Sequence, residues 1–121
     1  MTVKEFEDLV AAALDGLPEA FARAMDNVEV VVEIWPTRED LIAGGTPPSS
    51  TLFGLYRGIP KTKRANYQGA LPDKIVIFAG PIVQMSGENP DAVKKQVRNT
   101  VLHEIGHHFG MSDEDIRAAG K

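Results

Sequence analysis

Helical periodicity marks the start of the chain. Apolar residues recur every three or four positions over residues 3–17, directly behind Thr2 and Glu5, which have the spacing of an N-terminal capping box. The pattern predicts an amphipathic first helix that ends near Gly16, with a short helical continuation over residues 19–25.

Three short segments further along have the composition of β-strands. Residues 28–35 are dense in β-branched side chains, and residues 75–79 form a continuous apolar run that is typical of a strand buried on both faces. Residues 52–57 contain Gly54, and a glycine inside a strand often marks a bulge or a place where another backbone approaches closely. We therefore expect residues 75–79 at the centre of a sheet and residues 52–57 at its edge.

The remaining segments between the helices are shorter or more polar. Residues 37–43 are predicted to form one or two helical turns, and residues 44–50 a loop rich in glycine, proline and serine. Residues 59–71 are irregular and carry three clustered basic side chains, which we interpret as a solvated loop rather than an anion site. These side chains are Lys61, Lys63 and Arg64.

The longest helix is predicted near the end of the chain. Asn89 has the position of an N-cap and Pro90 that of the first helical residue, and the pattern continues through Phe109 to Gly110. In the first half of this helix an apolar stripe lies on one side and basic residues lie on the opposite side. In its second half the apolar residues surround the helix, which indicates burial. The polar residues that remain there are His103, Glu104, His107 and His108.

Composition narrows the classes of protein that these elements can form. The 121 residues fit one domain over residues 1–121, and the absence of cysteine excludes disulfides and thiolate metal sites. A net charge of −4 offers no basic field for nucleic acid or an anionic membrane. The acidic N-terminal residues and the short apolar runs predict neither a leader nor a membrane span, so we expect a cytoplasmic protein.

All three histidines lie within residues 103–108, and their spacing suits a metal site. His103 and His107 are four residues apart, so a helix presents both imidazoles to one point, as a Zn²⁺ ion requires. Glu104 falls within the same arc and suits a general base that takes a proton from metal-bound water. His108 points about 100° away from His107, so we expect it to pack or to hydrogen-bond behind the ligands.

A third ligand is needed for an open catalytic zinc site. The carboxylates that follow His107 are Asp113, Glu114 and Asp115. A left-handed turn at Gly110 would bring Asp113 back toward the imidazoles, which favours it as the ligand. Ser112 can in addition cap a short final helix that starts at Asp113, and the two roles are compatible.

The eleven residues His-Glu-Ile-Gly-His-His-Phe-Gly-Met-Ser-Asp, from 103 to 113, resemble the H-E-x-x-H-x-x-G-x-x-H/D pattern of metzincin metallopeptidases. With its short length and the preceding residues 71–78, the chain is similar to a family of small bacterial zincin-like domains. The resemblance implies Zn²⁺ on His103, His107 and Asp113, and Glu104 as the base. It also implies an α+β, minimal zincin-like fold. In that fold a small twisted mixed sheet of about three strands packs against the N-terminal and active-site helices.

The resemblance makes zinc-dependent hydrolysis of a peptide or protein substrate the leading hypothesis. An extended peptide would add to the edge strand, and Tyr56, Arg57 and Tyr67 are candidates to stabilise the oxyanion.

Two departures from the metzincin pattern keep alternatives open. Eight residues follow Asp113, where metzincins carry a methionine turn and a lower subdomain, and Met111 lies inside the motif. One alternative is therefore a non-catalytic metal-binding or interaction module. A zinc-dependent RNA hydrolase is a further alternative. Two observations argue against it: such nucleases carry H-G-x-x-H where this chain has H-E-x-x-H, and the net negative charge of the chain does not favour RNA binding.

Overall fold

The computed structural model describes residues 1–26, 28–45, 52–57, 73–108 and Glu114. Within these ranges, five helices and three strands follow one another in an α+β arrangement, as predicted. The helices are α1 (Val3–Asp15), α2 (Glu19–Ala24), α3 (Arg38–Ala43), α4 (Ala79–Ser86) and α5 (Pro90–His108). The strands are β1 (Val28–Glu33), β2 (Gly54–Arg57) and β3 (Asp73–Phe78).

The sheet is mixed and has the strand order β1-β3-β2. β1 runs parallel to β3, whereas β2 is antiparallel to it, with Leu55 opposite Val76. The predicted centre and edge are thus confirmed: β3 lies between two neighbours, and its last four residues are buried. Among the described strands, β2 pairs on one side and leaves its other edge open.

The core lies between one face of the sheet and helices α1 and α5. Along α5, the stripe formed by Val93, Val97 and Val101 is fully buried and packs with Phe6 of α1 and Ile75 of β3. Leu55, Val76 and Phe78 form a smaller cluster on the other face of the sheet. The predicted start of α5 is confirmed as well, because the Asn89 side chain accepts hydrogen bonds from backbone N–H groups in the first turn of the helix.

Helix α4 was not expected, since Gly80 and Pro81 have the composition of a turn that ends a strand. Pro81 is instead the third residue of α4, where a backbone N–H has no intrahelical partner to lose. Gly80 donates its N–H to the Ile34 carbonyl at 2.7 Å, and Trp35 lies so close that a Cβ at Gly80 would stand 2.5 Å from its ring. β1 accordingly ends at Glu33, two residues before its predicted end.

No helix within the described ranges has both the length and the apolar character needed to cross a bilayer.

A partly buried ionic cluster links β2 to strand β1 and to helix α3. Arg57 donates to Glu33 at 3.1 Å and also to Asp40, a buried residue of α3. Asp40 accepts from the Thr37 N–H at 2.9 Å as well. Burial by itself raises the pKa of Asp40, but the hydrogen bonds from Thr37 and Arg57 outweigh it and hold that pKa below its usual value.

The lowered pKa predicts how acid acts on stability. A carboxyl group whose pKa is lower in the folded than in the unfolded chain stabilises the fold at neutral pH, and this stabilisation is lost as the pH falls through the folded-state pKa. We expect Asp40→Asn to lower the free energy of unfolding by about 1 kcal/mol at pH 7, since Arg57 is partly exposed and screened. The difference from the parent should shrink toward pH 3 in urea titrations. Glu29→Gln, at an exposed position of β1, is the matched control, and an equal effect of both substitutions would contradict the prediction.

Candidate metal and catalytic site

The C-terminal half of α5 carries the predicted site residues on the side that faces the edge of β2. The buried stripe of the helix fixes its rotation, because Val97 and Val101 are held in the core. His103 and Glu104 are half-buried and His107 is exposed. The helix therefore continues from the core into the site without a break.

Gly54 allows this helix to approach the edge strand closely. A Cβ at Gly54 would lie 2.5 Å from the Thr100 methyl group of α5 and 3.1 Å from the Val76 carbonyl oxygen. The sequence-based expectation of a close approach at Gly54 is confirmed in part, because the nearest atom belongs to the Thr100 side chain and not to another backbone. A larger residue would push β2 away from the helix that carries the site.

We expect Gly54→Ala to lower the free energy of unfolding by about 1–3 kcal/mol, because the added methyl overpacks this contact. Thr100→Ser removes the clashing methyl but keeps the hydroxyl that donates to the Gln96 carbonyl at 2.8 Å. The double variant should therefore recover part of the loss. Gly16→Ala is the control, since a Cβ there meets nothing nearer than 3.7 Å, and a loss of the same size at Gly16 would contradict this explanation.

The two imidazoles have an arrangement that suits a shared metal ion. The Nδ1 of His103 lies 2.8 Å from the Asn99 carbonyl oxygen, and because a carbonyl only accepts, Nδ1 carries the proton. The Nε2 of His103 is then the nitrogen with an electron pair for a metal, oriented by the bond behind it. The ring centroids of His103 and His107 are 5.9 Å apart, with planes at 76°. Two imidazoles on one tetrahedral zinc have centroids roughly 5 Å apart, so the pair fits with a small adjustment.

The third ligand predicted from the sequence, Asp113, lies outside the described residues, as do Gly110, Met111 and Ser112. Within the ranges that the structure describes, no three metal-binding side chains converge on one point. The described part of the site is therefore a pair of histidines beside a carboxylate, and ligation by Asp113 stays a prediction.

Glu104 contacts the edge strand directly. Its Oε1 accepts a hydrogen bond of 3.0 Å from the backbone N–H of Tyr56. Burial raises the pKa of Glu104 above its usual value, while the Tyr56 bond and the nearby His107 and His103 oppose the rise. The carboxylate is thus partly withdrawn from water and lies on the same side of α5 as both imidazoles.

Tyr56 also holds the C-terminal end of α5. Its ring stacks on His108 with centroids 3.9 Å apart and planes at 13°, and its hydroxyl donates to Asp73 at 2.8 Å. The expected packing role of His108 is therefore borne out by this stack.

The candidates for oxyanion stabilisation are only partly described. The Tyr56 hydroxyl donates a hydrogen bond to Asp73. The Arg57 guanidinium donates to Glu33 and Asp40. Tyr67 lies outside the described residues, as does the basic group at residues 61–64. Sequence reasoning did not find the contact between Glu104 and the Tyr56 backbone, since every residue except proline carries an N–H and no residue type signals this contact.

Two depressions flank Glu104 along the groove between β2 and α5. One includes Phe53, Gly54 and His103 in its wall, and the other Leu55, Tyr56 and His107, while Glu104 lines both. The carboxylate therefore lies between two depressions, beside the edge of β2 that no described strand covers.

Comparisons with known proteins bear on the family and the fold of the chain. The profile of the zincin-like metallopeptidase family matches residues 25–121. Among solved structures, the chain is similar to a conserved hypothetical protein from Thermus thermophilus, with 26% identity and a TM-score of 0.56. That match covers 89% of this chain and 94% of the other. No curated protein matches the chain.

Proposed function

Because the chain belongs to the zincin-like metallopeptidase family, we propose that it is a zinc-dependent peptidase that cleaves extended peptides. In this proposal His103, His107 and Asp113 hold the zinc ion, and Glu104 is the general base. The observation that carries the proposal is the position of Glu104. Its half-buried carboxylate lies on the imidazole side of α5 and within hydrogen-bond distance of the open edge of the sheet.

The chain's own residues account for orientation and proton transfer. A zinc ion bound here would polarise the scissile carbonyl and acidify the attacking water. The Asn99 carbonyl fixes the tautomer of His103, so that its Nε2 is presented outward. Glu104 accepts the proton of the attacking water and delivers it to the leaving amine, which requires no further titratable group.

The open edge of β2 supports an extended peptide as the substrate. A peptide that pairs with an edge strand is held through its backbone, and its alternate side chains enter pockets beside the strand. The two depressions beside Glu104 have the placement for such side chains. The scissile bond would then lie opposite Glu104.

Zinc loading combined with a cleavage assay tests the proposal. The protein is titrated with zinc, its metal content is measured, and a library of unmodified peptides is incubated with the zinc-loaded and the chelator-treated protein. We expect one zinc per chain and new peptide termini only in the zinc-loaded sample. If one zinc binds and no peptide is cleaved, the peptidase proposal is wrong and the non-catalytic alternative stands.

A further inference from the structure

The direction of each backbone group on β2 follows from one hydrogen bond and the strand register. The N–H of Phe78 donates to the Phe53 carbonyl at 2.9 Å, so these two residues form a hydrogen-bonded pair of the antiparallel ladder. Such pairs alternate along an antiparallel ladder, and Leu55 and Arg57 therefore also turn their backbone groups toward β3. Gly54 and Tyr56 turn theirs toward the open edge.

The outward N–H of Tyr56 already has an acceptor. It donates to Glu104 at 3.0 Å, which agrees with the direction deduced from the ladder. A peptide that pairs with β2 uses the same outward groups, those of Gly54 and Tyr56. One N–H cannot make a full hydrogen bond to a peptide carbonyl and to the Glu104 carboxylate together. Peptide binding and the docked position of Glu104 thus compete for one donor.

The Tyr56 side chain keeps this donor in place. Its ring is stacked on His108 at the end of α5, and its hydroxyl is bonded to Asp73 at the start of β3. The residue is therefore fastened to the helix of the site and to the central strand. Its backbone is held at a set distance from Glu104 by contacts that peptide pairing leaves intact.

We propose that Tyr56 is a positioning residue whose N–H holds Glu104 on the edge strand when no peptide is bound. A peptide that pairs with β2 takes over this N–H and releases the carboxylate toward the metal. The inference rests on the proposed function, because it takes Glu104 as the base and β2 as the peptide-binding edge. It adds that the substrate itself frees the base.

Amide hydrogen exchange of the full-length protein tests the first half of the proposal. In Glu104→Ala the Tyr56 amide loses its acceptor and should exchange at least about fivefold faster than in the parent. Glu104→Gln keeps a side-chain carbonyl that can accept, so its Tyr56 amide should stay close to the parent. The Leu55 amide, which faces β3, is the internal control for general loosening of the strand. Unchanged exchange at Tyr56, or equal acceleration at Leu55, would overturn the proposal.

Peptide capture tests the second half without any chemistry. The metal-free parent, Glu104→Ala and Glu104→Gln are each immobilised and exposed to one library of uncharged hexapeptides with blocked termini. Glu104→Ala should retain about five times more peptide than the parent, since its Tyr56 N–H is open, and Glu104→Gln should resemble the parent. Equal or lower retention by Glu104→Ala, or no retention by any of the three, would overturn the proposal.

The two proposals fail in different ways. If hydrogen exchange and peptide capture follow the expectation but the zinc-loaded protein cleaves nothing, the proposed peptidase function is wrong. The competition between Glu104 and a peptide for the Tyr56 N–H is then still supported. If the zinc-loaded protein cleaves peptides but the exchange rate of the Tyr56 amide does not depend on Glu104, the peptidase function is supported and the proposed role of Tyr56 is wrong.

Discussion

Replacing Glu104 with alanine is expected to lower the rate of peptide cleavage by about 100- to 10,000-fold while zinc stays bound. The loss follows because the proposed base is the group that accepts the proton of the attacking water. Zinc binding is retained because the ligands in this proposal are His103, His107 and Asp113. The measurement is the rate of appearance of new termini in the peptide library, with the metal content of each sample determined beside it.

Glu104→Gln separates proton transfer from positioning in the same assay. The glutamine side chain has nearly the same shape and can still accept from the Tyr56 N–H, but it cannot take up a proton. It should therefore be as inactive as the alanine variant. If Glu104→Ala or Glu104→Gln cleaved the library as fast as the parent, Glu104 would not be the base.

Replacing His103 with alanine is expected to abolish zinc binding at this site. Removal of a ligand should exceed the 10–100-fold loss of affinity that is typical when a ligand's hydrogen-bond partner is removed, so we expect a loss of more than about 100-fold. Zinc affinity is measured in competition with a chromophoric chelator. The parent should also show a higher melting temperature with zinc than without it, and the variant should not.

The matched control for this prediction lies on the same helix. His108→Ala removes a neighbouring imidazole that is stacked on Tyr56, and it should retain zinc close to the parental affinity. Asp113→Ala should lose zinc and Glu114→Ala should keep it, which tests the choice among the carboxylates after His107. Loss of zinc in His108→Ala together with retention in His103→Ala would reverse the assigned roles.

The sequence predicted best where a local signal and the tertiary structure agree. Asn89 and Pro90 mark the start of α5 by a mechanism that needs only neighbouring residues, and the valine stripe of that helix is buried as its period requires. The continuous apolar run of β3 likewise placed this strand at the centre of the sheet. These predictions concern α5 and β3, the elements that carry and support the proposed site.

Sequence patterns did not predict contacts that depend on residues far apart in the chain. Arg57 meets Glu33 and Asp40, which lie 24 and 17 positions away, and no spacing rule links them. Arg57 was predicted only as one of three candidates to stabilise the oxyanion, and its two carboxylate partners were found from the structure. Helix α4 was missed because a proline that is tolerated in the first turn of a helix has the same local signal as one that ends a strand.

Helix α5 makes the integrity of the site inseparable from that of the whole fold. The same nineteen residues supply a fully buried stripe of the core and, beginning two residues after Val101, the two imidazoles and the carboxylate. A site on a loop can open by local fluctuation, whereas this part of the site belongs to the element whose opening exposes the core. The backbone spacing of His103, Glu104 and His107 is therefore set by the same helix that forms part of the core. Adjustment to a substrate then falls to side chains, as in the proposed release of Glu104 from the Tyr56 N–H.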